Sequence, residues 1–205
     1  MSRLGGCACL FLLLAVAFPA LAASKGDPAK AQSVVNSVCA ACHGANGQSP
    51  IPANPNLAGQ HADYLYKQLM DYKAGRRKNP VMTAMVANLS DDDMRNLAAY
   101  FSAQKPTGGT AKDRDLVLLG QKLYRGGNTT NGTPACAACH SPDGAGIPIQ
   151  YPRLAGQHND YTVAQLQSFR SGERANDPNS MMRTIAGRMS DKDMAAVAEY
   201  VSGLH

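Results

Sequence analysis

The chain has no tryptophan, and aromatic residues make up only 6% of its 205 residues. A conventional aromatic-rich core is therefore out of reach for it. It also lacks a Lys/Arg run interleaved with aromatics, so its formal charge of +5 at pH 7 makes no case for nucleic acid. Its densest basic cluster, Arg76-Arg77-Lys78, reads as a solvated loop. No P-loop, Ser/His/Asp set or paired-carboxylate arrangement stands out, and no pair of alternating apolar segments suggests strands. Cysteine is scarce as well. Two of the six, Cys7 and Cys9, fall in the first 22 residues, and the other four fall in just two places.

Those first residues run from Arg3 through the apolar stretch Leu10–Phe18 to Ala20-Leu21-Ala22. A charged start, a short apolar run and an A-x-A site predict a cleaved secretory signal over 1–22, because a spanning helix needs about 20 apolar residues. Leu4-Gly5-Gly6-Cys7 looks like a lipoprotein box but has no apolar region before it. Cleavage leaves no cysteine for a disulfide, a thiolate ligand or a nucleophile.

What is present is one pentapeptide twice: Cys39-Ala40-Ala41-Cys42-His43 and Cys136-Ala137-Ala138-Cys139-His140. Cys-x-x-Cys-His is the attachment signature of haem c. Two thiols three positions apart on a helical turn reach the two vinyl groups at a porphyrin edge, and the next residue aims an imidazole at the iron. A dithiol redox pair or a zinc site would use the cysteines but leave both histidines idle. Two covalent haem c groups are the expected cofactors, and their propionates would roughly cancel the basic excess.

The flanks repeat with the motifs, 97 residues apart: segments 39–61 and 136–158 match at 12 of 23 positions, which marks an internal duplication. The linker-like 105–112 separates a domain over 23–104 from one over 113–205. Each half has the same order: a helix before the motif (about 28–38 and 115–124), a Pro/Gly-rich loop, and an amphipathic helix. That helix runs over about 62–74 in the first half, with Tyr161, Leu166 and Phe169 marking its twin. A last helix opens at Ser90-Asp91-Asp92-Asp93 or Ser190-Asp191-Lys192-Asp193, both resembling capping boxes. The chain is predicted to be all-α. Eight extra residues, 126–133, read as a surface loop before the second motif. Domains of this size with so few aromatics need the cofactor as a staple, so the apoprotein is expected to be largely unfolded.

His43 and His140 are the proximal iron ligands by motif. The sixth ligand should recur in both halves. Met94/Met194 lie on an apolar helical stripe and read as core. Met82/Met182 lie in loops before the last helix and are the favoured ligands, with Met85 and Met181 as near misses. His61 and His158 also repeat, but each opens a helix, where polar end roles are commoner. The carbonyls of Pro55 and Pro152, twelve residues after each proximal histidine, are candidate acceptors for its other N–H; a rigid turn is the alternative.

Together these features resemble class I c-type cytochromes, and the tandem arrangement is similar to the cytochrome c4 family. The resemblance implies the Pro55/Pro152 and Met82/Met182 roles just given, and two domains facing each other across a pseudo-twofold axis. It implies a periplasmic electron carrier, a monomer of two domains, soluble or loosely membrane-associated. Electrons would pass from a quinol-oxidising complex to a haem–copper terminal oxidase. The competing function is a dihaem subunit that accepts electrons from a flavoprotein such as a sulfide dehydrogenase. A dihaem peroxidase would need an iron able to open, and a thiosulfate-oxidising site would need a spare cysteine.

Overall fold

A computed structural model describes residues 26–204; the expected signal segment 1–22 lies outside them. The first half opens with a continuous helical stretch, α1, over 28–43. It comprises a 3₁₀ turn Pro28–Ala31, an α turn Gln32–Val34, a π-helical turn Val35–Cys39 and an α turn Ala40–His43. Then come α2 (Ala62–Lys73), α3 (Pro80–Val86) and α4 (Asp91–Ser102). The second half supplies α5 (Arg114–Gly126), α6 (Ala137–His140), α7 (Asn159–Ser171), α8 (Met181–Ala186) and α9 (Asp191–Ser202). Among the described residues the only β features are two isolated bridges, Asn128–Thr133 and Ile147–Tyr151. None of these helices is long and apolar enough to cross a membrane.

Local chemistry sets the boundaries. Ser90 and Ser190 each accept from the backbone N–H of Asp93 or Asp193, whose carboxylate in turn accepts from the serine N–H, closing both capping boxes. Asn79 caps α3 by accepting the Met82 N–H at its Oδ1, with Pro80 pre-set at the first helical position. The stripe of α4 (Met94, Leu97, Ala98, Phe101) is buried, as is its twin on α9 (Met194, Val197, Ala198, Val201). Leu65, Leu97, Ala98 and Phe101 close with Ala31 and Val35 into the first core. The second core is larger, adding Leu123, Tyr124, Leu166, Phe169, Met189 and Tyr200.

The segment before the second motif lies at the surface, with Gly126, Thr129, Thr130 and Gly132 exposed, but it is tied down. Its ends pair through Asn128 and Thr133, Thr133 is buried, and Arg188 donates to the Gly132 carbonyl. In the first half the helix runs straight into the motif instead.

The two halves meet at a seam whose hydrogen bonds recur at the 97-residue offset of the sequence repeat. Arg77 donates to Tyr161 and Gln165 of the other half, each at 2.9 Å. Arg174 returns bonds to Tyr64 at 3.0 Å and Gln68 at 3.3 Å. Each guanidinium also lies over an aromatic ring of its own half, Arg77 on Tyr72 and Arg174 on Phe169. The reading of 76–78 as solvated fails at its central residue: Arg77 is only 6% exposed. The reason is planar donor geometry, which lets one guanidinium serve several acceptors across the seam.

Candidate haem-binding sites

The π-helical turn Val35–Cys39 delivers the chain into the first motif, and Cys39 and Cys42 sit three positions apart on adjoining helical backbone, hence on one face. Cys136 and Cys139 are placed alike at the start of α6. None of these four cysteines is in a disulfide, and all are only part-exposed. Burial pushes the Cys39 and Cys136 thiols up to about 11. A dithiol redox pair works through a depressed thiol pKa, which neither Cys39 nor Cys136 has. Among the described residues no group of three or more His, Cys, Asp or Glu side chains is placed to hold a metal ion.

His43 and His140 close the two motifs and are buried, 7% and 8% exposed. His43 Nδ1 lies 3.0 Å from the Pro55 carbonyl oxygen, and His140 Nδ1 lies 2.9 Å from that of Pro152. A carbonyl only accepts, so Nδ1 carries the proton in each ring. Burial lowers both imidazole pKa values, with the proline carbonyl opposing it more weakly, and so favours the neutral ring. The lone pair is then on Nε2, the tautomer an iron ligand requires. The donor set therefore fits haem c: two thiols on one helical face and one oriented neutral imidazole, in each half.

The methionines are placed differently from expectation. Met82 is in α3 and Met182 in α8, so both candidate ligands stand on short helices rather than in loops. The Asn79 cap and Pro80 start the first of these helices early. In the second half Asn179 and Ser180 take left-handed φ values of 54° and 56° immediately before it. Both candidates are part-buried, and Met182 packs against the second core. Met85 is 44% exposed, and Met181 is part-buried.

His61 and His158 hold the positions before α2 and α7, but neither side chain caps its helix. They belong to the seam. His158 Nε2 sits 3.0 Å from the Ser49 carbonyl of the first half, and His61 Nε2 is buried without a hydrogen-bond partner. Burial lowers the His61 pKa, with Arg153 nearby pushing the same way and the Ala145 carbonyl and Asp63 opposing.

Sequence reasoning passed over the seam residues themselves. Gln60, Tyr64, Gln68 and Arg77 have identical counterparts at Gln157, Tyr161, Gln165 and Arg174. Such retention of polar residues through a duplication was the signal available.

The family model described as Cytochrome c matches residues 28–105 and again 117–205. Cytochrome c4 of Azotobacter vinelandii is 49% identical over 205 aligned residues, covering 95% of this chain and 97% of that protein. A thiosulfate dehydrogenase electron acceptor of Stutzerimonas stutzeri (strain A1501) is 41% identical over 169 residues, covering 81% of this chain and 78% of that protein. The crystal structure of reduced recombinant cytochrome c4 from Pseudomonas stutzeri superposes with a TM-score of 0.84 at 46% identity, covering 88% of this chain and all of that one. With one haem-attachment motif in each of its paired halves, the chain belongs to the cytochrome c family as a dihaem electron-transfer protein of the cytochrome c4 type, with two covalently bound haem c groups.

Proposed function

We propose that the protein is a periplasmic electron carrier, not a catalyst, that takes electrons from a quinol-oxidising complex and delivers them singly to a haem–copper terminal oxidase. The bound haem c groups supply iron centres that each gain and lose one electron. Cys39 and Cys42 hold one group by thioether bonds, and Cys136 and Cys139 hold the other. His43 and His140 are the proximal ligands, and the Pro55 and Pro152 carbonyls fix their rings. Met82 and Met182 would supply the second protein ligand to each group, and two protein ligands per iron would leave no place for a substrate. Residues 1–22 direct export, and 105–112 links domains 23–104 and 113–205.

The observation that carries this reading is the matched His–Pro contact in both halves, 3.0 Å and 2.9 Å, which gives each centre the same oriented neutral imidazole. Donor and acceptor follow from the resemblance to cytochrome c4. The test is a spectroelectrochemical titration of matured protein, followed by stopped-flow reoxidation with oxidase-containing membranes. Two high-potential waves with the sulfur-to-iron band in both centres, and fast reoxidation, are expected. A low-potential or high-spin centre would sink the closed-carrier reading.

A second reading is a dihaem subunit serving a dehydrogenase, for example a flavoprotein acting on sulfide. It is favoured by the 41% identity to a protein named as a thiosulfate dehydrogenase electron acceptor. Co-purification of a dehydrogenase subunit, together with slow reoxidation by oxidase membranes, would decide for it.

A further inference from the structure

Each proximal histidine is held by a peptide group that is itself held by the other domain. The carbonyl that accepts from His43 Nδ1 belongs to the peptide joining Pro55 to Asn56. The N–H of that same peptide donates to Gln157 Oε1, across the seam, at 2.9 Å. Gln157 Nε2 also donates to the next carbonyl, that of Asn56, at 3.0 Å. The second half mirrors this arrangement. The Pro152–Arg153 peptide accepts from His140 through its oxygen and donates through its N–H to Gln60 Oε1 at 2.9 Å. Gln60 Nε2 donates to the Arg153 carbonyl at 2.9 Å.

Neither glutamine has freedom to do otherwise. Gln60 is 6% exposed and Gln157 is 9% exposed. Each Oε1 also accepts from the N–H of the following histidine, His61 or His158, at 3.0 Å. Donor and acceptor needs on both sides fix the amide orientation.

We propose that Gln157 is a positioning residue for His43 and Gln60 a positioning residue for His140, so that each domain sets the proximal ligand of its partner. The physical route is short. A peptide group is a rigid plane, so anchoring its N–H fixes where its carbonyl points. Hydrogen bonds in series polarise one another, so a bond accepted from the N–H makes that carbonyl a stronger acceptor. A stronger bond at Nδ1 makes the imidazole more basic at Nε2, which favours the oxidised iron and lowers the potential. Loss of the cross-domain bond therefore raises the potential of the centre in the opposite domain.

This rests on the assignment of His43 and His140 as iron ligands, and the experiment separates the two claims. Oxidised full-length holoprotein is compared with Gln157→Ala, Gln60→Ala and Gln157→Glu by proton NMR of the hyperfine-shifted resonances and by redox titration. Resonances are assigned to each domain through contacts with its own cysteine motif. Gln157→Ala is expected to move the His43 Nδ1–H signal, speed its exchange with solvent about tenfold, the equivalent of one hydrogen bond, and raise the first-domain potential. Gln60→Ala does the same to His140 and the second domain. Gln157→Glu keeps the acceptor for Asn56 N–H and returns the first-domain potential to the parent value or below. A purely structural role would move the Ala and Glu variants in the same direction. Changes confined to the variant's own domain, or no change in either signal, would overturn the proposal. If neither histidine shows hyperfine-shifted protons, the ligand assignment itself falls and takes this proposal with it.

Discussion

The guanidinium of Arg77 donates to the Tyr161 hydroxyl at 2.9 Å, and at the equivalent place Arg174 donates to Tyr64 at 3.0 Å. Two buried cations are thus shared between the halves of a duplicated chain, each supported by the other half's phenol and glutamine. Burial of a charge is tolerated only where its donors are satisfied, and both are, by amide and hydroxyl oxygens. The halves are consequently tied together by polar chemistry rather than by a merged apolar core.

Removing one of these cations should therefore loosen the pair measurably. Arg77→Met deprives Tyr161 of its partner and removes donors to Gln68 and Gln165. The cost should be on the order of 3 kcal/mol, read as a lower urea midpoint of the holoprotein. Arg76, one residue earlier, is the control: its side chain is 59% exposed and reaches only Asp71 at 2.7 Å. Arg76→Ala should cost under about 1 kcal/mol. Equal effects of the two substitutions would contradict the seam described above.

Acid should weaken the same seam through Asp71. Burial pushes this carboxyl up, but bonds from Lys67, Asn176 and Arg76 outweigh it and hold the group below the usual range. Its Asn176 partner belongs to the other half. A carboxylate with a depressed folded pKa adds stability that is present above the unfolded value, about 3.9, and is lost as pH falls through the lower folded value. The unfolding midpoint should thus hold from neutral pH down to about 4 and drop below it. Asp71→Asn should lower the midpoint at neutral pH and flatten its acid limb. An acid limb unchanged by Asp71→Asn would place the sensitivity elsewhere, with Asp91, Asp93, Asp177 and Glu199 the other described carboxylates held low by their hydrogen bonds.

The elements that could be read from sequence are those fixed by local chemistry. The motifs, the Ser90 and Ser190 capping boxes and the buried stripes of α4 and α9 each carry their cause within a few residues. The misreadings share a different origin. Arg77 looked like part of a solvated basic run because its acceptors, Tyr161 and Gln165, are 84 and 88 residues away. His158 looked like a helix-end residue because its partner, the Ser49 carbonyl, belongs to the other half. For Met82 the cause is local after all: Asn79-Pro80 is a helix-start signal and puts Met82 in α3 rather than in a loop. A duplicated chain offers one further clue, since polar residues kept identical in both copies without a helix-cap or motif role are candidates for the seam between them.

Loss of one haem should unfold its own half more readily in the first domain than in the second. The first core closes around six buried residues, Ala31, Val35, Leu65, Leu97, Ala98 and Phe101, against eleven in the second. A domain of this size cannot offset its chain entropy with so little apolar area and depends on the covalent group. Blocking attachment by Cys39→Ala with Cys42→Ala should remove roughly half of the far-UV helical signal, consistent with one of two such domains losing its staple. The Cys136→Ala, Cys139→Ala pair should retain more residual helix. Full retention of helical signal in the first variant would show that the apolar core suffices alone.

Replacing Met82 tests its proposed role as an iron ligand directly. Met82 stands on α3 with its backbone N–H capped by Asn79 and with Val86, one turn on, fully buried, so a substituted side chain starts from the same anchored helix. Met82→His should leave both thioether bonds intact, because Cys39 and Cys42 lie on a different element, α1. It should remove the sulfur-to-iron band of one centre only and lower that centre's potential, since imidazole in place of thioether favours the oxidised iron. Met85, one turn further along α3, is 44% exposed, so Met85→His should leave both the band and the potentials unchanged. If Met82→His left the potential where it was and Met85→His moved it, the ligand would be Met85, and α3 would have to turn its exposed face inward to bind.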